Sequence, residues 1–85
     1  MKYSLTYTER VIKDIKKFEA NIKKRIGKTL LRYVEDPLKH AEKLTESRMG
    51  EYRFRIGNYS VIFDVEGNEI VVLRVGHRKD IYRKF

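Results

Sequence analysis

The sequence predicts an α+β domain: an N-terminal strand, an antiparallel helical hairpin and a three-stranded antiparallel meander, with the helices packed on one face of a four-stranded sheet. Three observations carry this. Residues 50–65, GEYRFRIGNYSVIFDV, alternate apolar and polar side chains on both sides of Gly57-Asn58, which is the pattern of a β-hairpin. Residues 9–34 instead repeat their apolar side chains at helical spacing. A chain of 85 residues holds one domain, residues 1–85, and buries only roughly 60 to 65% of its extended surface.

The first strand is KYSLTYT, where Tyr3, Leu5 and Tyr7 alternate with Lys2, Ser4 and Thr6. Thr8 is placed to cap a helix, and Glu9 lies in the first turn, where the helix dipole favours an anion. Val11, Ile15, Phe18 and Ile22, then Ile22, Ile26, Leu30 and Val34, form one apolar stripe opposite a lysine-rich face. A break near Ala20-Asn21 turns this stretch into a helical hairpin, and Asp36-Pro37 ends its second arm because proline cannot continue a helix. Leu38 to Gly50 reads as an irregular connection pinned by Leu44 and Met49.

In the meander, Tyr52, Phe54 and Ile56 alternate with Arg53 and Arg55, Gly57-Asn58 supplies the positive φ of a two-residue turn, and Tyr59, Val61, Phe63 and Val65 follow. That turn sets the register: Ile56 faces Tyr59, Arg55 faces Ser60, Phe54 faces Val61 and Arg53 faces Ile62. Glu66-Gly67-Asn68 makes a second turn into EIVVLRV, after which GHRKDIYRKF leaves the sheet, with Asp80 placed to start a last helical turn. One face of the meander is aromatic and aliphatic and suits the helices; the other carries Arg53, Arg55 and Ser60.

Composition narrows the chemistry. There is no cysteine, so no disulfide, thiolate metal site or cysteine nucleophile, and two histidines are too few for a zinc site. No metal or other cofactor is expected. Nothing near the start resembles a signal peptide and no apolar run approaches the length of a membrane span, so a soluble, cytoplasmic protein without a membrane partner is expected. The formal charge is +8, with 12 basic and 6 acidic side chains in residues 1–44 and 8 and 6 in residues 45–85. Such a balance favours polyanions, nucleic acid above all, or an acidic protein. Lys13, Lys16, Lys17, Lys23 and Lys24 on the helices, with Lys79, are the diffuse RNA- or ribosome-binding surface this charge suggests, and a solvated helix face would look the same.

Metal-free RNA cleavage needs positive charge around a phosphate, an acceptor for the 2′-hydroxyl proton and a donor for the leaving 5′-oxygen. Arg53 and Arg55 supply charge from a rigid strand, and His77, Arg78, Lys79 and Tyr82 follow the last strand. Arginines are also what the wet face of an antiparallel sheet ordinarily carries, His77 fits a loop equally well, and Tyr82 fits a packing role.

The order of elements, with YRFRIGNYSVIFDV followed by VVLRVGHRKDIY, resembles the RelE/ParE superfamily of toxins from type II toxin-antitoxin systems, and particularly its RelE-like branch, over nearly the whole chain. The resemblance implies a ribosome-dependent endoribonuclease that cuts mRNA in the A site by attack of the 2′-oxygen on the adjacent phosphate. It implies a cognate RelB-like antitoxin, and contact with operator DNA only through the antitoxin complex. Carried over by position, Arg53 and Arg55 match the two basic strand residues that contact the RNA, Arg78 the arginine tied to transition-state charge and leaving-group protonation, and Tyr82 the terminal tyrosine near the 2′-hydroxyl. His77 stands where relatives place histidine or lysine, and its ordinary pKa suits proton transfer near neutrality. Two positions depart from the pattern. Arg55 replaces a lysine, and an arginine is too strongly protonated to act as a base. Ser60 stands where the family has a phosphate-binding arginine, which implies an attenuated toxin. The alternatives are a ParE-like inhibitor of DNA gyrase that cuts nothing, and an inactive RelE-fold binding protein.

Overall fold

In the computed structural model, residues 3–45 and 49–81 are described. They form β1 (Ser4–Tyr7), α1 (Glu9–Lys16), α2 (Ala20–Tyr33), α3 (Pro37–His40), β2 (Glu42–Lys43), β3 (Tyr52–Ile56), β4 (Tyr59–Glu66) and β5 (Glu69–His77). The sheet runs β1-β5-β4-β3-β2, with β1 parallel to β5 and the other pairs antiparallel. The hairpin has the expected register, from Ile56 opposite Tyr59 to Arg53 opposite Ile62, and Gly57 adopts φ +60.

Thr8 caps α1 as its sequence indicates: its side chain accepts the Val11 N–H. The stripe from the two helices meets the sheet through Val11, Ile26, Leu30 and Val34, which are buried against Phe54, Ile56, Val61, Phe63, Ile70, Val72 and Val75. Phe54 and Phe63 stack at 4.2 Å between ring centroids and anchor the middle of this core.

Three features differ from the expectation. The sheet has five strands rather than four, because Glu42–Lys43 pairs with Tyr52 and Arg53 in the segment read as irregular. Two residues are too few to show a period of two, so the alternation argument has nothing to detect. The helical break falls at residues 17–19, ahead of Ala20-Asn21; Glu19 occupies the N-cap of α2 without a side-chain bond, while the Asn21 side chain accepts the neighbouring Ile22 N–H. Finally, α2 stops at Tyr33, and Pro37 opens α3 at its first turn, where the missing N–H costs nothing.

The face away from the helices is only partly wet. Ser60 and Ile62 are buried. A Cβ on Gly76, which pairs with Ser60, would touch Ile81, so the C-terminal turn lies over this part of the sheet. The turn is held by the Asp80 and Ile81 N–H groups, both donating to the His77 carbonyl. A bulge then re-aims β5. Ile62 faces Arg74 but Phe63 faces Val72, leaving Leu73 as the extra residue. Arg74 reaches Asp14 of α1, donating from Nε at 2.9 Å and Nη2 at 3.4 Å, and the Val75 N–H donates to the same carboxylate at 3.2 Å. Asp14 thus ties α1 to the β5 edge beyond the end of β1.

Candidate active site on the outer sheet face

Arg53 and Arg55 project from the same face of β3 because they are two residues apart in a strand. What joins them is Glu42. The two-residue strand β2 places Glu42 directly opposite Arg53. The Arg53 Nη2 donates to Glu42 Oε2 at 2.6 Å, and the Arg55 Nε lies 3.4 Å from Oε1. The two arginines are not equivalent. The Arg53 side chain is 14% exposed, while that of Arg55 is 52% exposed and also lines the neighbouring groove beside α2. The bond from Arg53, and then its charge, hold the Glu42 carboxyl below the usual glutamate range; desolvation opposes them, and the charge of Arg55 adds the smallest effect.

This arrangement gives a carboxylate, able to accept a proton, flanked by two guanidiniums able to stabilise a pentavalent phosphorus. The other groups expected at the site are spread more widely. His77 pairs with Tyr59, on the helix-facing side, and its ring stands edge-on to Tyr59 at 5.5 Å. Its Nδ1 accepts the Lys79 N–H at 3.2 Å. The structure therefore does not bring His77 together with Arg53 and Arg55. Arg78 fastens the C-terminal turn to the hairpin by donating its N–H to the Asn58 carbonyl, and its side chain is exposed. Tyr82 lies outside the described residues. Ser60 sits on the arginine face, opposite Arg55, but under the C-terminal turn.

Of the lysines, Lys13, Lys16 and Lys17 line an open hollow of about 690 Å³ that also contains Glu9, Arg10, Asp14 and Arg74. Lys23 borders a small apolar cavity of about 100 Å³ with Tyr7, Ile15, Ile26, Gly27 and Leu30. Lys24 and Lys79 are exposed. Among the described residues no group of three His, Cys, Asp or Glu side chains is arranged to hold a metal, and no helix is long and apolar enough to cross a membrane.

Sequence reasoning missed Glu42, Asp14 and Arg74. Each was visible only as one more charge on a strand or helix, and what singles it out is a partner distant in the chain. One further basic group also escaped it: Arg25, Lys28 and Arg32 of α2, which line a groove of about 430 Å³ with Arg55 and Gly57.

Comparison with known proteins places these features in a family. Residues 5–82 match the family described as the ParE toxin of the type II toxin-antitoxin system parDE. The chain is 33% identical over 84 residues to toxin RelE3 of Methanocaldococcus jannaschii, covering 93% of this chain and 94% of that protein. It superposes with a TM-score of 0.72 on a chain of the RelB-RelE antitoxin-toxin complex from Methanococcus jannaschii, at 33% identity and covering 93% of this chain and 96% of the other. It superposes with a TM-score of 0.84 on a chain of the RelBE2 toxin-antitoxin complex of Mycobacterium tuberculosis, at 22% identity over 92% of this chain and all of the other.

Proposed function

Because the chain belongs to the ParE toxin family of type II toxin-antitoxin systems, within the RelE/ParE superfamily, we propose that it is a RelE-like, ribosome-dependent mRNA endoribonuclease held inactive by a RelB-like antitoxin. The observation that supports cleavage over simple binding is the Glu42 carboxylate bridging Arg53 and Arg55 on one sheet face. The 2′-hydroxyl gives its proton to Glu42 as its oxygen forms a bond to the adjacent phosphorus. Arg53 and Arg55 offset the charge that gathers on the equatorial oxygens. The bond from phosphorus to the 5′-oxygen breaks, leaving a 2′,3′-cyclic phosphate and a 5′-hydroxyl whose proton is given by the Tyr82 hydroxyl, while the charge of Arg78 offsets that on the leaving oxygen.

Glu42 takes the acceptor role because it is the carboxylate in contact with both arginines, whereas Asp64, on the same face, accepts the Glu51 N–H. Arginine cannot release its proton near neutrality, and His77 faces the other side. Its lowered pKa makes it a weaker base but keeps it ionised, which is the state that receives a proton. Ser60 leaves the cluster one cation short of the family pattern, and a missing preorganised charge contact costs about 10²- to 10³-fold in rate. The activity proposed is accordingly attenuated.

The test is a toeprint of a defined mRNA on programmed ribosomes. A-site cleavage is expected with the unaltered chain, and a loss of at least 100-fold with Glu42→Gln, which keeps the shape and removes the base. The family model is described by ParE, which favours one second reading, a gyrase inhibitor that cuts nothing. Ribosome-bound mRNA left uncut, together with blocked gyrase supercoiling, would select that reading.

A further inference from the structure

Arg25, Lys28 and Arg32 are spaced three and four residues apart, so the 3.6-residue repeat of α2 sets them in one row. The row faces β3 across a groove of about 430 Å³ whose lining adds Thr29, Tyr33 and Arg55 and ends at the Gly57 turn. Four cations thus meet there, and among the described residues of the lining there is no carboxylate. The hollow on α1 differs, since Glu9 and Asp14 sit among its lysines. Like charges on neighbouring turns destabilise a helix, so the α2 row carries a cost that a bound anion offsets.

Placement is as informative as charge. A Cβ on Gly57 would lie 2.9 Å from an Arg25 guanidinium nitrogen, so Arg25 packs down on the hairpin turn and is held at the end of the groove. Arg55 stands at the boundary between the groove and the Glu42 cluster, about half exposed and with only a 3.4 Å contact to Glu42. A strand whose phosphate lies against Arg53 and Arg55 therefore continues onto the α2 row. The groove has little means of reading bases: the Tyr33 ring is already stacked on His40 at 4.2 Å and lies 5.0 Å from Phe54.

We infer that the groove of Arg25, Lys28, Arg32 and Arg55 is a phosphodiester-binding site, which grips the backbone of the RNA strand next to the reacting phosphate without regard to sequence. The identity of the polyanion as RNA rests on the cleavage reading above. Contacts of this kind release condensed counterions, so binding weakens with salt by about 0.7 logarithmic units per phosphate on a single strand.

The experiment uses a fluorescein-labelled 2′-O-methyl RNA 12-mer, which lacks the nucleophile and reports binding alone, titrated by anisotropy at several salt concentrations. The triple variant Arg25→Ala, Lys28→Ala, Arg32→Ala is expected to bind about tenfold or more weakly, with a salt slope shallower by about 1.4, as for two lost phosphates. The charge-preserving pair Arg25→Lys, Arg32→Lys is expected to keep most of the slope. Affinity and slope unchanged in the triple variant would overturn the site. So would a groove that binds a ten-residue glutamate peptide and no RNA, since it would then be a protein-docking surface. Should the triple variant lose its fold by circular dichroism, Thr29→Glu sets one carboxylate in the lining, and binding unchanged by it would equally overturn the proposal. The two readings fail separately: groove-dependent binding of the methylated RNA, with ribosomal mRNA left uncut, sustains the groove and removes the nuclease.

Discussion

Glu42 owes its acidity to two neighbours that sequence separation hides, Arg53 eleven residues on and Arg55 beyond it. A carboxyl whose folded pKa lies below its unfolded one adds stability above the unfolded value, and this contribution is lost as pH falls through the folded one. For Glu42 that loss belongs to the acid side of the ordinary value of 4.5 and leaves neutral pH untouched. Arg53 supplies the largest effect, so Arg53→Ala should return the Glu42 titration toward 4.5 in a carbon-detected NMR experiment. A midpoint that stays low would assign the shift to another group. Ser60 poses the opposite problem, an expected charge that is missing from a covered position. Ser60→Arg should raise ribosomal cleavage at least tenfold by supplying the phosphate contact. The same change must push the turn at Ile81 off Gly76, and overpacking of this kind costs about 1–3 kcal/mol. The expected outcome is a faster and less stable protein, seen as a lower Tm beside a stronger toeprint. Unchanged cleavage would show that the vacancy at Ser60 does not limit the reaction.

Among the elements, α1 is the one whose attachment is most exposed to a single change. Eight residues make a marginal helix on their own, so α1 depends on its packing through Val11 and on the bond from Asp14 to Arg74 and to the β5 edge. Asp14→Ala removes the carboxylate shared by the Arg74 side chain, about 10% exposed, and the Val75 N–H. Removing one member of a buried pair costs about 3 kcal/mol, which lowers Tm by at least 10 °C in a domain of this size. Thermal unfolding checks it, and a shift below about 3 °C would mean that the pair is idle. The sequence made the elements around this tie legible, because alternation and the 3.6-residue stripe each extend over several residues, and the Gly57-Asn58 turn fixed the hairpin register. It could not reveal β2, two residues long, or the bulge at Leu73 that turns Arg74 toward Asp14. The same division runs through the site. Arg53 and Arg55 follow from strand alternation and family resemblance, whereas Glu42 meets the two arginines only once β2 is paired, and His77 lies apart from them because its pairing with Tyr59 turns it to the helix side.

At the scale of the whole molecule the governing quantity is the charge of +8, spread over the helices as well as the outer face. Ile12 and Leu31 stand 48% and 65% exposed among those helical cations. An antitoxin that silences such a surface has two tasks, to bring negative charge and to cover apolar side chains, and the two act on different steps of binding. Charge complementarity draws the partners together and acts mainly on the association rate; apolar burial holds them afterwards and acts mainly on dissociation. Raising salt from 50 to 500 mM shortens the screening length from about 14 Å to about 4 Å. Association with a cognate RelB-like antitoxin, followed by stopped-flow fluorescence, should therefore slow by tenfold or more over this range while dissociation changes less than threefold. An association rate indifferent to salt would mean that the antitoxin ignores the charge and docks on the apolar side chains alone, leaving the basic surface free for RNA even in the complex. Inhibition would then have to arise by distortion of the Glu42 cluster instead of by cover, and the Glu42 titration measured in the complex would move.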